Sequence, residues 1–176
     1  MPQLKRLFTI GNLIVFGVLA FFLYTRGPQI VHSYRIQGAD EFARDSLLDF
    51  DGKQVERPYP HALVFWASWC APCEIEMSRI NRMIEAGKIR PEQVISISID
   101  NHLEDARKKH SSKGYLFPAA WDQSGHWARL YNVGVTPTLI VIDKNKKIVW
   151  ATSGLSPLLE MRLGSYLKAQ DSIGEQ

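Results

Sequence analysis

Cys70 and Cys73 are the only cysteines in this 176-residue chain, and only Ala71 and Pro72 separate them. Thiols this close can pass two electrons by opening and closing a disulfide, hold half of a metal site, carry haem, or lie inert in a core. Structural zinc takes about four protein ligands, yet neither a second Cys-x-x-Cys nor a His-x-x-x-His follows. Haem attachment needs histidine directly after the second cysteine, where Glu74 stands. Redox exchange is the favoured reading, with an inert buried pair as its alternative.

Ahead of the pair, Ala62 to Trp66 is an apolar run rich in strand formers, which predicts a buried β-strand. Behind it, Cys73, Met77, Ile80 and Ile84 recur at helical spacing. The cysteines therefore fall where a strand turns into a helix, with Cys70 at the helix N-terminus. Unpaired N–H groups and the positive end of the macrodipole favour an anion there. That lowers a thiol's pKa and enlarges its share of reactive thiolate. Cys70 is accordingly the expected nucleophile and Cys73 the resolving thiol. Pro72 suits the first turn, where a missing N–H costs little. Ala71 and Pro72 add neither charge nor imidazole, so the expected potential lies nearer thioredoxin than DsbA. Those two differ by about 150 mV, roughly 7 kcal/mol for two electrons.

A second motif, Val135-Thr136-Pro137-Thr138, opens a later apolar strand. With Trp69-Cys70-Ala71-Pro72-Cys73 after a buried strand and Glu76 three residues past the second cysteine, the stretch from Ser46 to Ala169 resembles the thioredoxin superfamily. Within it the resemblance is to the membrane-tethered thiol-disulfide oxidoreductases of the TlpA, ResA and CcmG type. Only about 5% of X–Pro bonds are cis, but the resemblance implies a cis bond at Pro137, opposite the dithiol. That bond would present the Thr136 backbone to an incoming peptide in the manner of one β-pairing. Trp66 and Trp69 match motif tryptophans, Trp66 expected in the core and Trp69 at the lip beside Cys70. Trp69, Thr136 and Pro137 are thus the expected substrate-binding residues. The resemblance also implies that Glu76 is catalytic, as a proton relay near the cysteines. Position alone leaves a solvated Glu76 paired with Arg79 equally open. Two residues depart from pattern: Val64 stands where thioredoxin has a buried aspartate, and Ser78 where a helix-kinking proline is usual. The latter predicts a straighter helix.

A formal charge of +3, with Lys and Arg scattered among Asp and Glu, leaves no nucleic-acid footprint. From Leu7 to Tyr24 the chain is nearly all apolar, and roughly eighteen helical residues span about 27 Å, close to the hydrocarbon thickness. Lys5 and Arg6 precede it, and no Ala-x-Ala-like cleavage site follows. Residues 1–26 therefore read as an uncleaved signal anchor, one transmembrane helix, rather than a removed signal peptide. Its charge asymmetry leans toward a cytoplasmic N-terminus. The resemblance adds a catalytic domain on the periplasmic or extracytoplasmic face of the cytoplasmic membrane. Residues 27–45 read as a linker, 46–170 as the thioredoxin-like domain and 171–176 as a polar tail.

Within the domain, an Asp51-Gly52 step between apolar residues 47–48 and Val55 signals an N-terminal hairpin. Val94 to Asp100 alternates as a half-buried strand, and Asn101 is placed to cap a helix ending near Gly114. Residues 117–121 read as a short extended piece, His126 to Tyr131 as a short helix, 138–151 as a hairpin, and Pro157 to Ala169 as the closing helix. The expected fold is α/β and thioredoxin-like: a mixed central sheet flanked by helices, with an N-terminal hairpin and an inserted strand and helix.

These readings converge on a thiol-disulfide oxidoreductase without cofactor or metal that reduces disulfides of client proteins. The resemblance implies re-reduction by a transmembrane electron donor and clients such as apocytochrome c. A net oxidase or isomerase is one alternative. A copper-binding assembly module using the cysteines and His126 is another, though that group has three residues between its cysteines. The five histidines are otherwise read as surface or satisfied side chains. No peroxidase is expected, because the Pro-x-x-x-Thr/Ser-x-x-Cys arrangement is absent.

Overall fold

Strand β1, His61–Trp66, is buried from end to end, as a run with no polar face after its first residue must be. The structure is a computed structural model and describes residues 14–21 and 46–168. Around β1 stand β2 (Val94–Ser98), β3 (Ala119–Trp121), β4 (Thr138–Ile142) and β5 (Ile148–Ser153). They form one mixed five-stranded sheet in the order β3-β2-β1-β4-β5. The β1–β2 and β2–β3 pairs are parallel, and the β1–β4 and β4–β5 pairs are antiparallel.

Alternation along β1 divides the core. Ala62, Val64 and Trp66 face one side with α2 (Ala71–Glu85), Ala106 of α3 (Leu103–Lys113), and Leu159, Leu163 and Leu167 of α5 (Leu159–Lys168). Leu63 and Phe65 face the other side with Trp127 of α4 (His126–Leu130), Leu47 and Val55. Val64 is fully buried among apolar neighbours.

The expected elements of the domain are present, with three corrections. β2 is buried at every position, Ser96 and Ser98 included, because strands flank it on both edges and both sheet faces are covered. The expected N-terminal hairpin is present but short: Leu48 bridges Gln54 antiparallel, the Asp49 amide donates to the Lys53 carbonyl and the Val55 amide to the Leu47 carbonyl at 2.8 Å each, and Asp49 also bridges Ala120 of β3. The Asp49 carboxylate accepts from the Asp51 and Lys53 amides at 2.8 Å each, so a side chain fastens the turn that joins the hairpin's two arms. His102, not Asn101, is the N-cap of α3, and its side chain makes no capping bond. The closing helix begins at Leu159 rather than Pro157. Helix α2 is continuous through Ser78.

Residues 14–21 form helix α1, with Ile14, Val15, Phe16, Val18, Leu19 and Phe21 all exposed. Among the described residues no helix is long and apolar enough to cross a membrane. The rest of the expected anchor, the linker 27–45 and the tail 171–176 lie outside the described residues.

Candidate active site

β1 delivers the chain into the N-terminus of α2, and Cys70 occupies the N-cap with an extended backbone (φ −88°, ψ 97°). Its sulfur accepts the Cys73 amide at 3.2 Å, and its carbonyl accepts the Cys73 and Glu74 amides at 3.1 and 3.3 Å. A side chain at this position usually meets the helix's orphan N–H groups through oxygen; here a sulfur does so, and such a donor stabilises a thiolate. Cys70 and Cys73 are joined as a disulfide. Cys70 keeps 6% of its surface exposed and Cys73 none. A partner sulfur therefore reaches Cys70 first. Trp69 stands outside at 73% exposed, while Trp66 is buried at 1%, the division expected of core and lip.

The Thr136–Pro137 bond is cis. Thr138, the next residue, pairs with Phe65, so Pro137 lies at the end of the sheet from which β1 enters the cysteine loop. The Thr138 hydroxyl is 2.7 Å from the Val135 carbonyl and 2.9 Å from the Ser153 hydroxyl. The Pro137 carbonyl accepts the Gly154 amide at 2.7 Å. This loop is thus held from both sides. Pro137 is buried, Thr136 half-buried and Val135 exposed.

Residues 40–151 match the sequence profile of the AhpC/TSA family. The chain belongs to that family. Thiol-disulfide oxidoreductase ResA of Bacillus thuringiensis subsp. konkukian (strain 97-27) is 29% identical over 162 residues, covering 89% of this chain and 90% of the relative. ResA of Bacillus anthracis is 29% identical over 141 residues, covering 78% and 80%. Among solved structures, a Chlorobium tepidum protein assigned as a thiol:disulfide interchange protein DsbE superposes with a TM-score of 0.61 at 27% identity. It covers 76% of this chain and 97% of its own. Within the family this is a thioredoxin-like thiol-disulfide oxidoreductase of the ResA/DsbE type, carrying a Cys-x-x-Cys pair.

In this family member Glu76 is not solvated. It is 1% exposed; one carboxylate oxygen accepts the Ser156 amide at 3.1 Å and the other accepts Arg79 Nη1 at 3.1 Å. Arg79 Nη1 also donates to the Ser156 carbonyl at 2.7 Å, so acid and base together hold the β5–α5 loop. Burial nevertheless pushes the Glu76 carboxyl above its ordinary range, opposed by the Ser156 amide and by Arg79. Glu74, directly after Cys73, behaves oppositely. Bonds from Lys109, at 2.7 Å, and from Lys113 hold its carboxyl below the ordinary range.

Sequence reasoning did not single out Asp100, Ser156 or His110. Asp100, 4% exposed, accepts the Ser68 amide and hydroxyl two residues before Cys70. An acidic residue ending a parallel strand was the available signal, since open α/β sheets place their sites at the strands' carboxyl ends. His110 is half-buried and satisfied on one side only, by a backbone hydrogen bond at Phe117. Its ring centroid lies 5.4–6.2 Å from those of Phe50, Trp66, Tyr115 and Phe117, and its Nε2 is buried without a partner. His126 stacks edge-on against Trp127 at the start of α4. Among the described residues no three His, Cys, Asp or Glu side chains form a metal-binding group.

Proposed function

We propose that this oxidoreductase is a membrane-anchored reductase of client-protein disulfides outside the cytoplasm, with maturing c-type cytochromes among its clients. The observation that carries the reading is the asymmetry of the pair, with Cys70 at the site mouth on a helix N-terminus and Cys73 sealed behind it. In the reduced protein the Cys70 thiolate attacks one sulfur of a client disulfide. The client S–S bond breaks, a mixed disulfide forms, and the first client sulfur leaves as thiolate and takes a proton. The Cys73 thiolate then attacks the Cys70 sulfur, the mixed bond breaks, and the second client sulfur leaves. Two electrons have moved to the client, and the protein holds the Cys70–Cys73 disulfide. A transmembrane electron donor restores the dithiol.

Thr136 supports the substrate role given to the cis-proline loop, because it makes no hydrogen bond to another described residue. Its backbone is available to pair with a client strand. The anchor is supported by the exposed apolar side chains of α1, since contiguous exposed apolar surface seeks a burial partner. Lys5 and Arg6 ahead of the apolar run favour a cytoplasmic N-terminus and an external domain. Alkaline phosphatase fused after Gln176 should be active, and the protein should stay with membranes in high salt; release by salt overturns the anchor. The reduced protein should yield two client thiols for each disulfide it forms, and Cys70→Ser should abolish the yield.

A further inference from the structure

We propose that Asp100 is a positioning residue for Cys70, holding the nucleophile's loop through Ser68. Asp100 stands two residues beyond the end of β2, 32 residues from Ser68. Its carboxylate receives the Ser68 amide at 3.1 and 2.9 Å on its two oxygens, the Ser68 hydroxyl at 2.7 Å and the Ser98 hydroxyl at 2.7 Å. The Asp100 amide in turn donates to the Ser98 hydroxyl at 3.1 Å. Its carbonyl accepts Trp121 Nε1 at 2.7 Å. The residue is 4% exposed, and among the described residues no cation pairs with it.

A buried carboxylate without a cation is a costly way to stitch a strand end to a loop, because its desolvation must be offset by hydrogen bonds alone. What it adds over a neutral group is shorter and about twice as strong bonds. Those bonds fall on the turn that sets the nucleophile. Ala67 precedes Ser68, and its carbonyl accepts the Cys70 amide at 3.1 Å. Trp69, between Ser68 and Cys70, projects outward at 73% exposed. With Ser68 fastened on both its amide and its hydroxyl, the turn holds Cys70 where its sulfur meets the Cys73 amide at 3.2 Å. Loosening Ser68 withdraws that donor from the thiolate and raises the Cys70 pKa. Glu74, the charged neighbour on α2, is ion-paired to Lys109 and Lys113.

The inference rests on Cys70 as the attacking thiol. Alkylation reports Cys70 without any client, so failure of the client assignment leaves the test intact. In the reduced full chain, the pH dependence of Cys70 alkylation by iodoacetamide, read by mass spectrometry, compares wild type with Asp100→Asn, Ser68→Ala and the double variant. Asn places an amide group against one of the donors whichever way it turns. The expected rise for Asp100→Asn is about one pH unit. That cuts the thiolate share about tenfold, and the more basic thiolate's greater nucleophilicity leaves about a threefold loss of rate at neutral pH. Ser68→Ala removes only a half-buried hydroxyl, so it keeps the question open to test if Asp100→Asn fails to fold. It should shift the titration in the same direction by less, and the double variant should be no worse than Asp100→Asn. An unmoved titration with a lowered Tm would make Asp100 a structural stitch only. A fall in the Cys70 pKa would show its charge acting directly on the thiol, and additive effects would uncouple it from Ser68; either overturns the proposal.

Discussion

The Ser156 amide donates to the Glu76 carboxylate at 3.1 Å across 80 residues of sequence, closing the β5–α5 loop onto the helix that carries the cysteines. The bond gives a buried acid its partner. It also ties that acid's charge state to the packing of α5 against α2.

Glu76→Gln tests that tie. Burial raises the native carboxyl above its ordinary 4.5, against the pull of the Ser156 amide and Arg79. Between 4.5 and the native value the folded protein binds more protons than the unfolded chain, so wild-type stability falls as pH rises through that window. Glutamine cannot ionise and escapes the loss. The difference in Tm, variant minus wild type, should climb with pH through the window. The pH profile of client reduction should move as well if Glu76 relays protons. A constant Tm difference contradicts the raised carboxyl, and an unmoved activity profile removes the relay.

His110 has the opposite sign. Desolvation among its aromatic neighbours lowers it from 6.5 to about 4, against one backbone hydrogen bond at Phe117. Across that range the unfolded chain binds more protons than the native state, so stability is lost as pH falls from 6.5 toward 4. At most this is on the order of 3 kcal/mol. His110→Phe should remove this part of the acid sensitivity, seen as a flatter Tm profile between those limits. An equally steep profile would show that the imidazole titrates normally.

The uncharged Ala71-Pro72 pair gives a prediction about direction. Equilibration with glutathione should place the Cys70–Cys73 couple below about −200 mV, toward thioredoxin; a value near −120 mV would make it an oxidant.

The strand–helix junction was legible because it is local. An apolar run ending at Trp66 and the spacing of Cys73, Met77, Ile80 and Ile84 fix both elements and place Cys70 at the cap. Glu76 was legible as a position but not as an environment, since its burial depends on Ser156 and on α5 docking far along the chain. Asp100 was hidden for the same reason: Ser68 comes to it only when β1 and β2 pair in register, Trp66 against Ser98. The alternation of β2 misled, because a polar period of two marks a solvated face only if that face is uncovered. Here Ser96 and Ser98 hydrogen-bond inside instead, to the Pro118 carbonyl and to Asp100. The hairpin signal at Asp51-Gly52 was legible, being local: the turn closes with backbone bonds between 47–49 and 53–55 and is pinned by the Asp49 carboxylate.

Trapping the mixed disulfide tests the central claim most directly. With Cys73→Ser, Cys70 still attacks a client disulfide but nothing internal resolves the adduct. Acid quenching, non-reducing electrophoresis and mass spectrometry of membranes from cells making this variant should reveal a client joined through Cys70, a cytochrome precursor among the trapped species. Cys70→Ser should accumulate none, because Cys73 is fully buried. Adducts with Cys70→Ser and none with Cys73→Ser would reverse the two roles, and adducts with neither would contradict a dithiol that reduces clients by exchange.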